Sequence, residues 1–483
     1  MLRYSYKTTP YAHQKDVLEK SWDAEYWGLF MEMGTGKTKV AIDNMAALFF
    51  AGKVRAALIL APKGVYDNWA KGEIPAHLPD SVPRRVVRWE PKESKAYLKE
   101  LTALIDEDMA ALKILVMNIE AMSTAKGTKV AELFLRRNPA NIMVVDESTT
   151  IKNRTAARTK AVVRVGRAFA RYRRLLTGSP VTKNPMDLYS QCMFLEDKAL
   201  GFSSYFSFQN RYAHVVRRTM GHRSFQEIVG YQRLDELSKK LAKFSSRVLK
   251  EDCLDIPEKV YMRRDVALTP EQDSAYLQMK KLALAQLASG ELATTASVLT
   301  QIMRLQQICC GFLTDDNGTM HQLPSNRLSE LLDVVEEIDG KAIIWATWTA
   351  DLLRITEALR KRFGPESAAT YYGATVQDER QATIQRFQDP QNPLRFFVGQ
   401  PKTGGYGITL TAASTVIYYS NSYDLEIRLQ SEDRAHRIGQ KRNVTYVDLV
   451  APGTIDEKIL KALRDKIDIS SQVLGEQARQ WLL

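Results

Sequence analysis

The segment MEMGTGKT, residues 31–38, stands directly before the helical run KVAIDNMAALFF and has the residue types of a phosphate-binding loop. Gly34 and Gly36 let the backbone approach and wrap phosphate oxygens. Lys37 supplies positive charge to the β- and γ-phosphates, and Thr38 offers a hydroxyl to Mg²⁺. The helix that follows aims its N-terminus at the same anion. The strict G-x-x-x-x-G-K-[ST] pattern has Gly where this chain has Met, so an ordinary Gly-rich turn is the alternative at this point.

A pair of acids after a hydrophobic strand supplies the second half of such a site. In VVDES, residues 144–148, the apolar run ends at Asp146 and Glu147. We expect Asp146 to hold Mg²⁺ through a water and Glu147 to polarise the attacking water as general base. Taken alone, the pair fits the cap of a following helix at least as well. Together the two motifs predict a domain that binds and hydrolyses ATP with Mg²⁺, with Lys37 among the catalytic groups.

Short apolar runs alternate with helical stretches around these motifs. The clearest candidates for buried parallel strands are AALILA (56–61), KILVM (113–117), NIMVVD (141–146) and RRLLTG (173–178). Each ends in polar residues, Gly or Pro, where an open α/β sheet carries its ligand loops. The pattern predicts one doubly wound domain over residues 1–195.

Strand signals thin out after residue 195, and helical periodicity dominates in ELSKKLAKFSSRVLK (236–250) and SVLTQIMRLQQICC (297–310). A second set of strands follows in KAIIWAT (341–347), RFFVGQ (395–400), TVIYYS (415–420) and NVTYVDLV (443–450). We predict an α/β fold with two doubly wound lobes and parallel sheets. The predicted segments are lobes at 1–195 and 336–470, a helical insertion between the lobes at 196–335, and a helical tail at 471–483.

Composition excludes several classes of protein. With 45% hydrophobic and 26% charged residues, the chain is typical of globular proteins. It has no run of about 20 apolar residues that could cross a membrane, and its N-terminus lacks the apolar region of a secretory signal. The 4 cysteines form no C-x-x-C pair, so we expect reduced thiols and no zinc site. The net charge of +12 favours a polyanionic partner, although this signal is weak by itself.

The segment QSEDRAHRIGQ, residues 430–440, brings two arginines together. Arg434 and Arg437 lie three apart, so we expect them to share a helix face. Two guanidinium groups on one face suit a phosphoryl group whose charge is stabilised in the transition state, the role of an arginine finger. By spacing alone, solvated arginines or pairs with Glu432 and Asp433 are the better explanation.

The segment TGGYGITLTAASTVIYYSNSYDLEIRLQSEDRAHRIGQ (403–440) resembles the last two motifs of the Swi/Snf-type DNA translocases of helicase superfamily two. The string D-R-x-H-R-I-G-Q is among the most specific that this family has. Further segments match in the family's order: YAHQ (11–14), EMGTGKT (32–38), LILAPKGVYDNW (58–69), VMNIEAM (116–122), DESTTIKN (146–153), LTGSP (176–180), KAIIWATWT (341–349) and YYGATVQDERQATIQRFQ (371–388). The resemblance covers about residues 10–460.

The resemblance implies two RecA-like lobes with ATP between them, the first supplying the phosphate loop and acids and the second supplying Arg434 and Arg437. Gln14 is then the expected adenine contact. The other expected nucleotide contacts are Met33, Gly34, Thr35, Gly36, Lys37, Thr38, Gly405 and Gly407. Contacts with the tracked DNA strand are expected from Lys63, Asn118, Trp348, Lys402 and Thr403. Taken singly, Lys63 fits a solvated loop lysine and Trp348 a core residue equally well.

The chain departs from the family's pattern in several places. Ser148–Thr149 stands where the family has a His after the acids, and Tyr423 stands where a Trp-Asn-Pro segment is usual. VGQPKTGG (398–405) replaces the commoner Ser-Thr-Arg approach to the next motif. These departures leave every predicted catalytic group in place and suggest a compact bacterial or phage-like member of the family.

The resemblance therefore predicts an ATP-dependent translocase that moves along double-stranded DNA and remodels protein–DNA complexes. Two alternatives stay open: a strand-separating helicase of the same superfamily, and a nucleotide-gated switch that acts on a partner protein. We expect a monomer in the cytoplasm of a bacterium or of a phage-infected host, with DNA-bound proteins as remodelling targets and no membrane association.

Overall fold

The structure is a computed structural model that describes residues 5–63, 65–91, 94–220, 223–253, 256–289, 295–404 and 408–474. The described residues fall into two compact units. The first comprises those up to Arg218, those of Gln226–Asp255 and those from Asp468 on, and the second comprises those of Thr219–Phe225 and Ile256–Ile467. None of the helices in the described part of the chain is both long and apolar enough to span a membrane.

The first unit alternates strands with helices along most of its length. Its strands are β1 (Tyr26–Met31), β2 (Ala56–Ala61), β3 (Arg84–Arg88), β4 (Leu112–Asn118), β5 (Asn141–Asp146), β6 (Tyr172–Leu176), β7 (Ala213–Met220), β8 (Arg223–Tyr231) and β9 (Ser245–Val248). The end of β7 and the start of β8 belong to the second unit. Its helices are α1 (Ala12–Ser21), α2 (Lys37–Phe50), α3 (Tyr66–Asn68), α4 (Ile74–His77), α5 (Lys95–Asp106), α6 (Ala125–Arg137), α7 (Ala157–Phe169), α8 (Asp187–Leu195), α9 (Tyr205–Tyr212), α10 (Leu234–Leu241) and α11 (Lys250–Cys253).

A parallel sheet with the order β3-β4-β2-β5-β6-β1-β9 forms the centre of this unit. Successive residues of a strand point to opposite faces, so an apolar strand serves two cores. In β2, Leu58 and Leu60 pack in one core with residues of α5 to α8, whereas Ala57 and Ile59 pack in another with residues of α1 and α2. The unit is therefore doubly wound, as predicted. Strands β7 and β8 form a separate two-stranded sheet.

The second unit repeats this plan. Its strands are β10 (Lys259–Asp265), β11 (Phe312–Thr314), β12 (Met320–Gln322), β13 (Lys341–Trp345), β14 (Ala368–Tyr371), β15 (Phe396–Gly399), β16 (Ala413–Tyr418) and β17 (Val444–Val450). Its helices are α12 (Pro270–Ser289), α13 (Thr295–Cys310), α14 (Arg327–Glu337), α15 (Thr349–Phe363), α16 (Gln377–Gln388), α17 (Pro401–Gly404), α18 (Leu425–Glu432) and α19 (Ile455–Leu474), whose last residues belong to the first unit. The parallel sheet has the order β10-β17-β16-β13-β15-β14, with an apolar core on each face.

The predicted fold class is confirmed, and each of the predicted strands coincides with an observed one to within about two residues, the usual uncertainty of strand ends. The helix predicted over 236–250 is wrong in its second half, because α10 ends at Leu241 and β9 follows. Strand β9 pairs with β1, and β10 pairs with β17. The boundary between the two compact units thus lies near residue 255, whereas the predicted boundaries lie at residues 195 and 335. These pairings join segments far apart in the sequence, which local periodicity cannot reveal.

A buried arginine ties several elements of the second unit together. Arg327, the first residue of α14, is 0% exposed. Its guanidinium donates to the carbonyl oxygens of Tyr419 at 2.6 Å and Leu449 at 3.3 Å, and it pairs with the Asp456 carboxylate. Burial acts to lower the pKa of Arg327, but the charge of Asp456 together with smaller effects of neighbours such as Cys310 outweighs it, so the pKa lies above its ordinary value.

Replacing Arg327 by Met is expected to destabilise the protein by about 3–5 kcal/mol, because it leaves the buried Asp456 carboxylate without its partner. The measurement is the free energy of unfolding in urea. Arg264→Met is the control, since Arg264 pairs with Glu330 and Glu337 at the surface and such pairs contribute at most about 1 kcal/mol. Equal effects of the two substitutions would contradict a structural role for Arg327.

Candidate nucleotide site and arginine segment

The phosphate loop connects β1 to α2 and requires glycine at two positions. Gly34 and Gly36 have φ of 84° and 87°, a left-handed conformation that favours glycine. A Cβ on Gly36 would lie 2.1 Å from Gln14 Nε2, so a side chain there would also clash. The Thr35 hydroxyl donates to the Glu32 carbonyl at 2.7 Å and closes the turn. Helix α2 then begins at Lys37, directly after the loop.

Gln14, the predicted adenine contact, lies beside this loop. It is 4% exposed, and its Nε2 donates to the Thr35 carbonyl at 3.0 Å. Its Oε1 accepts from the Tyr11 backbone at 3.1 Å, and His13 Nε2 donates to the same Thr35 carbonyl at 2.8 Å. The α1 segment is thus held against the phosphate loop. A role for Gln14 in adenine recognition stays a prediction.

The acidic pair lies at the carboxyl end of β5 and faces the lysine of the loop. Lys37 Nζ lies 3.6 Å from Glu147 Oε1, with side chains 11% and 10% exposed. Glu147 has φ 46° and ψ 62°, a conformation that costs a non-glycine residue about 1–3 kcal/mol. Such strain clusters at functional sites, where the surrounding structure holds it. The structure therefore brings Lys37, Asp146 and Glu147 together, as the two motifs predicted.

Asp146 is buried, and each of its carboxylate oxygens accepts one hydrogen bond. Oδ1 accepts from the Glu147 backbone at 2.9 Å, and Oδ2 accepts from Trp69 Nε1 at 2.8 Å. Burial raises the pKa of Asp146 above its ordinary value, although the Lys37 charge and the Trp69 bond oppose the rise. Sequence reasoning missed Trp69, because nothing in an apolar aromatic residue signals which acceptor its N–H will meet.

The donor set around the loop fits Mg²⁺. This ion binds through one or two carboxylates together with substrate phosphates and waters, and does not need a cage of acids. Asp146 has lone pairs left on both oxygens after its two hydrogen bonds, and Thr38 adds a hydroxyl in the first turn of α2. Among the residues that the structure describes, no cluster of three or more His, Cys, Asp or Glu side chains competes as a metal site.

The LTGSP turn after β6 lies against the phosphate loop. A Cβ on Gly178 would lie 3.1 Å from both the backbone N and the Cγ of Met33, so the two backbones approach closely here. Arg247 of β9 donates to the Gly178 carbonyl at 2.9 Å and to the Phe30 carbonyl at 3.1 Å. The local sequence gives no signal for this role of Arg247. Its role follows from the unforeseen pairing of β9 with β1.

A buried polar bridge joins the acidic segment to the same LTGSP turn. Ser148 Oγ donates to Gln191 Oε1 at 2.7 Å, and Gln191 Nε2 donates to the Pro180 carbonyl at 2.8 Å. Both side chains are fully buried. Ser148 belongs to the Ser148–Thr149 segment that stands where the family has a histidine after the acids. Gln191 is a second residue that sequence reasoning missed, since it lies on α8, far along the chain from Ser148.

The prediction that Arg434 and Arg437 share a helix face is wrong. Helix α18 ends at Glu432, and both arginines lie in the turns that follow. The Tyr446 hydroxyl donates to the Glu432 carbonyl at 3.0 Å, and the Gln440 amide donates to the Ala435 carbonyl at 3.2 Å. The Glu432 carbonyl also accepts from the backbone N–H of His436 at 3.3 Å, so these side-chain bonds add to the turns after α18 and hold the arginine segment in place.

The two arginines have different surroundings. Arg434 is 2% exposed, and its guanidinium donates to the carbonyls of Gln430 at 2.9 Å and Ile408 at 3.0 Å. Arg437 is half-buried, and its Nη1 donates to the Thr409 hydroxyl at 3.2 Å. Arg434 therefore holds the segment together, whereas Arg437 is the more accessible of the two cations.

A buried ionic network lies under the arginine segment. The fully buried Glu432 accepts from Arg428 Nε at 2.8 Å, Lys259 Nζ at 3.1 Å and the Tyr261 hydroxyl at 2.8 Å. Arg428 also forms a two-point pair with Asp448, at 2.5 and 3.0 Å. Burial acts to raise the pKa of Glu432, but the charges of Lys259 and Arg428 outweigh it, so the pKa is lowered. Glu432 therefore has a structural role. Its three partners in this network are Arg428, Lys259 and Tyr261, and not Arg434 or Arg437.

The predicted DNA contacts lie at the carboxyl ends of strands within each unit. Ala61 of β2 pairs with Asn118 of β4, and the exposed Lys63 follows Ala61 closely. In the second unit, β13 pairs with β15, and Trp348 and the exposed Lys402 follow their ends.

The remaining predicted contacts are less informative. Trp348 packs edge-on against Phe312, with ring centres 6.1 Å apart, so a core role fits it as well. The Thr403 backbone N–H donates to the Gln400 carbonyl at 3.1 Å. Gly405 and Gly407 lie outside the described residues.

Glu147→Gln is expected to keep ATP binding and to lower ATP turnover by about 10²–10⁴-fold, because the amide cannot take a proton from the attacking water. Turnover and ATP affinity are measured separately. Glu132→Gln serves as the control, since Glu132 forms a surface pair with Arg164 on α7. Turnover near the wild-type rate would remove Glu147 from the role of general base.

Arg437→Ala is expected to lower turnover by about 10³-fold or more while ATP affinity and thermal stability stay close to wild type. Arg434→Ala is the comparison, and it should also lower the thermal midpoint, because Arg434 bonds two buried carbonyls. An equal loss of ATP affinity and turnover in Arg437→Ala would instead make Arg437 a ground-state ligand.

Two family models match this chain. Residues 22–312 match the family model of the SNF2-related domain, and residues 325–439 match that of the helicase conserved C-terminal domain. The Arabidopsis thaliana protein CHROMATIN REMODELING 4 is 26% identical over 97% of this chain and 21% of its own length. The putative ATP-dependent helicase/translocase YwqA of Bacillus subtilis is 27% identical over 93% of this chain and 46% of its own length.

The chain thus spans less than half the length of these two relatives. A solved structure, the Sulfolobus solfataricus SWI2/SNF2 ATPase core in complex with dsDNA, aligns with a TM-score of 0.44 and 24% identity over 98% of this chain and 96% of that chain. The match to the SNF2-related domain by itself covers more than half of the 483 residues. The protein therefore belongs to the SNF2-related family of helicase-type ATPases.

Proposed function

We propose that this protein is an ATP-dependent translocase that moves along double-stranded DNA and remodels protein–DNA complexes. Family membership supports ATP-driven work on nucleic acid, and the bacterial relative from Bacillus subtilis is described as a helicase/translocase. The net charge of +12 suits a phosphate-rich partner, because Lys and Arg displace the counterions condensed on it.

The observation that carries the proposal is the order of strand ends along the first sheet. Strand β5, which ends in Asp146, is the direct neighbour of β2, with Leu60 opposite Val145. The connection that leaves β2 carries both Lys63, a predicted DNA contact, and Trp69, which bonds Asp146. A cation suited to the phosphates of DNA and the indole that bonds the expected metal ligand Asp146 thus share one connection, which supports coupling between DNA and ATP.

We assign the steps of hydrolysis to the residues that the motifs predict. Lys37 and the loop amides bind the phosphates, Thr38 and Asp146 hold Mg²⁺, and Glu147 orients the attacking water. The metal, when bound, neutralises charge on the phosphate oxygens. Arg437 supplies positive charge to the transition state, and Arg434 keeps its segment folded. Gln14 contacts adenine, and Gly405 and Gly407 are further nucleotide contacts.

Strand separation is the second candidate, and one feature favours it. Strands β7 and β8 form a two-stranded sheet of their own within the segment 213–231. Arg217 and Arg218 are exposed on β7. A two-stranded sheet that carries cations is the type of element that can enter a duplex junction.

A pair of displacement assays separates these candidates. We expect ATP-dependent release of the third strand from a DNA triplex, with the underlying duplex left intact. An opened duplex would favour the strand-separating helicase and contradict the first proposal. No stimulation of ATP hydrolysis by any nucleic acid would favour the nucleotide-gated switch. Glu147→Gln serves as the control that removes hydrolysis in both assays.

A monomeric state, a cytoplasmic location and a bacterial or phage origin stay predictions of the sequence. The displacement assays do not test these three predictions, because they use the purified chain with DNA and ATP.

A further inference from the structure

Trp69 is a buried aromatic residue that touches the acidic pair. Its side chain is 0% exposed, and its indole Nε1 donates a 2.8 Å hydrogen bond to Asp146 Oδ2. The residue begins the π-helical turn Trp69–Glu73, directly after α3. Such turns are rare and occur frequently at functional sites. The indole packs in the same apolar core as Val40 of α2 and Val144 of β5, so its surroundings hold the N–H in place.

The hydrogen bond fixes how Asp146 presents its oxygens. The other bond to the carboxylate comes from the backbone N–H of Glu147. That donor is adjacent in sequence and restrains Oδ1 only. Trp69 restrains Oδ2, so the two donors together set the plane of the carboxylate. An ionised carboxylate has about four lone-pair sites, and these bonds leave sites on both oxygens for a metal or its waters.

We propose that Trp69 is a positioning residue for the Mg²⁺ ligand Asp146 and thereby determines how strongly Mg²⁺ supports ATP binding. The inference rests on the proposed function, because it takes Asp146 as a metal ligand. Hydrogen bonds to a metal-binding carboxylate orient it, and their loss weakens metal affinity by about 10- to 100-fold. A bond from a neutral N–H to an ionised acceptor is also stronger than one between neutral groups.

Trp69→Phe tests the inference because it removes the N–H donor and keeps an aromatic ring. The affinity of the full chain for ATP is measured by calorimetry without DNA, once with Mg²⁺ and once with EDTA. We expect the gain in ATP affinity that Mg²⁺ provides to fall by about 10- to 100-fold, while the affinity in EDTA stays at the wild-type value. A substitution that only loosened the fold would weaken binding in both conditions.

Trp27→Phe is the matched control. Trp27 Nε1 donates a 3.0 Å bond to Ser246 Oγ in the same unit, and Ser246 is not a metal ligand in this proposal. We expect this variant to keep the wild-type response to Mg²⁺. A wild-type response in Trp69→Phe would overturn the inference. A wild-type protein that binds ATP equally well with and without Mg²⁺ would overturn the proposed metal site itself, so the two failures are distinguishable.

A measurement on the wild-type protein covers the case in which Trp69→Phe does not fold. The indole N–H groups of the 7 tryptophans are labelled with nitrogen-15 and followed by NMR. The Trp69 resonance is assigned by elimination, from Phe variants of the other tryptophans. We expect it to shift on addition of ATP with Mg²⁺ and to stay in place with ATP and EDTA. A Trp69 resonance that responds equally in both conditions, or in neither, would contradict the inference.

Discussion

Strands β1, β6 and β5 are neighbours in a parallel sheet, and this pairing brings Lys37 Nζ to 3.6 Å from Glu147 Oε1. Parallel strands end at one edge, so loops from distant parts of the sequence meet there. The phosphate loop follows β1, the LTGSP turn follows β6, and the acids follow β5. The other features of the site depend on this edge: the strained Glu147, the bridge from Ser148 to Pro180, and the indole bond to Asp146.

Local sequence predicted the parts of this site that depend on residue type. Gly36 needs its left-handed conformation, and Asp146 ends an apolar strand, so both could be identified from the sequence. The conformation of the arginine segment could not, because bonds from Tyr446 and Gln440, which lie later in the chain, hold its turns. Strand β9 was missed for the same reason, since its partner β1 is far away in sequence. Periodicity describes one segment at a time, whereas these features are contacts between segments.

One departure from the family pattern can be followed in the contacts of the structure. The Ser148–Thr149 segment stands where the family has a histidine, and Ser148 reaches the LTGSP turn through the amide of Gln191. The acidic segment and the turn are therefore joined by buried hydrogen bonds, and buried polar groups are costly to leave unpaired. In the second unit, the network around Glu432 holds the arginine segment without using Arg437. Arg437 therefore takes no part in the bonds of this network.

We propose that duplex DNA stimulates ATP hydrolysis by this chain. The most direct test measures the rate of ATP hydrolysis with a duplex, with single-stranded DNA and with RNA, at equal nucleotide concentration and at one salt concentration, because binding to phosphates depends steeply on salt. We predict strong stimulation by the duplex and weak stimulation by the other two. A rate that is highest with single-stranded DNA or RNA, or that no nucleic acid changes, would contradict the claim.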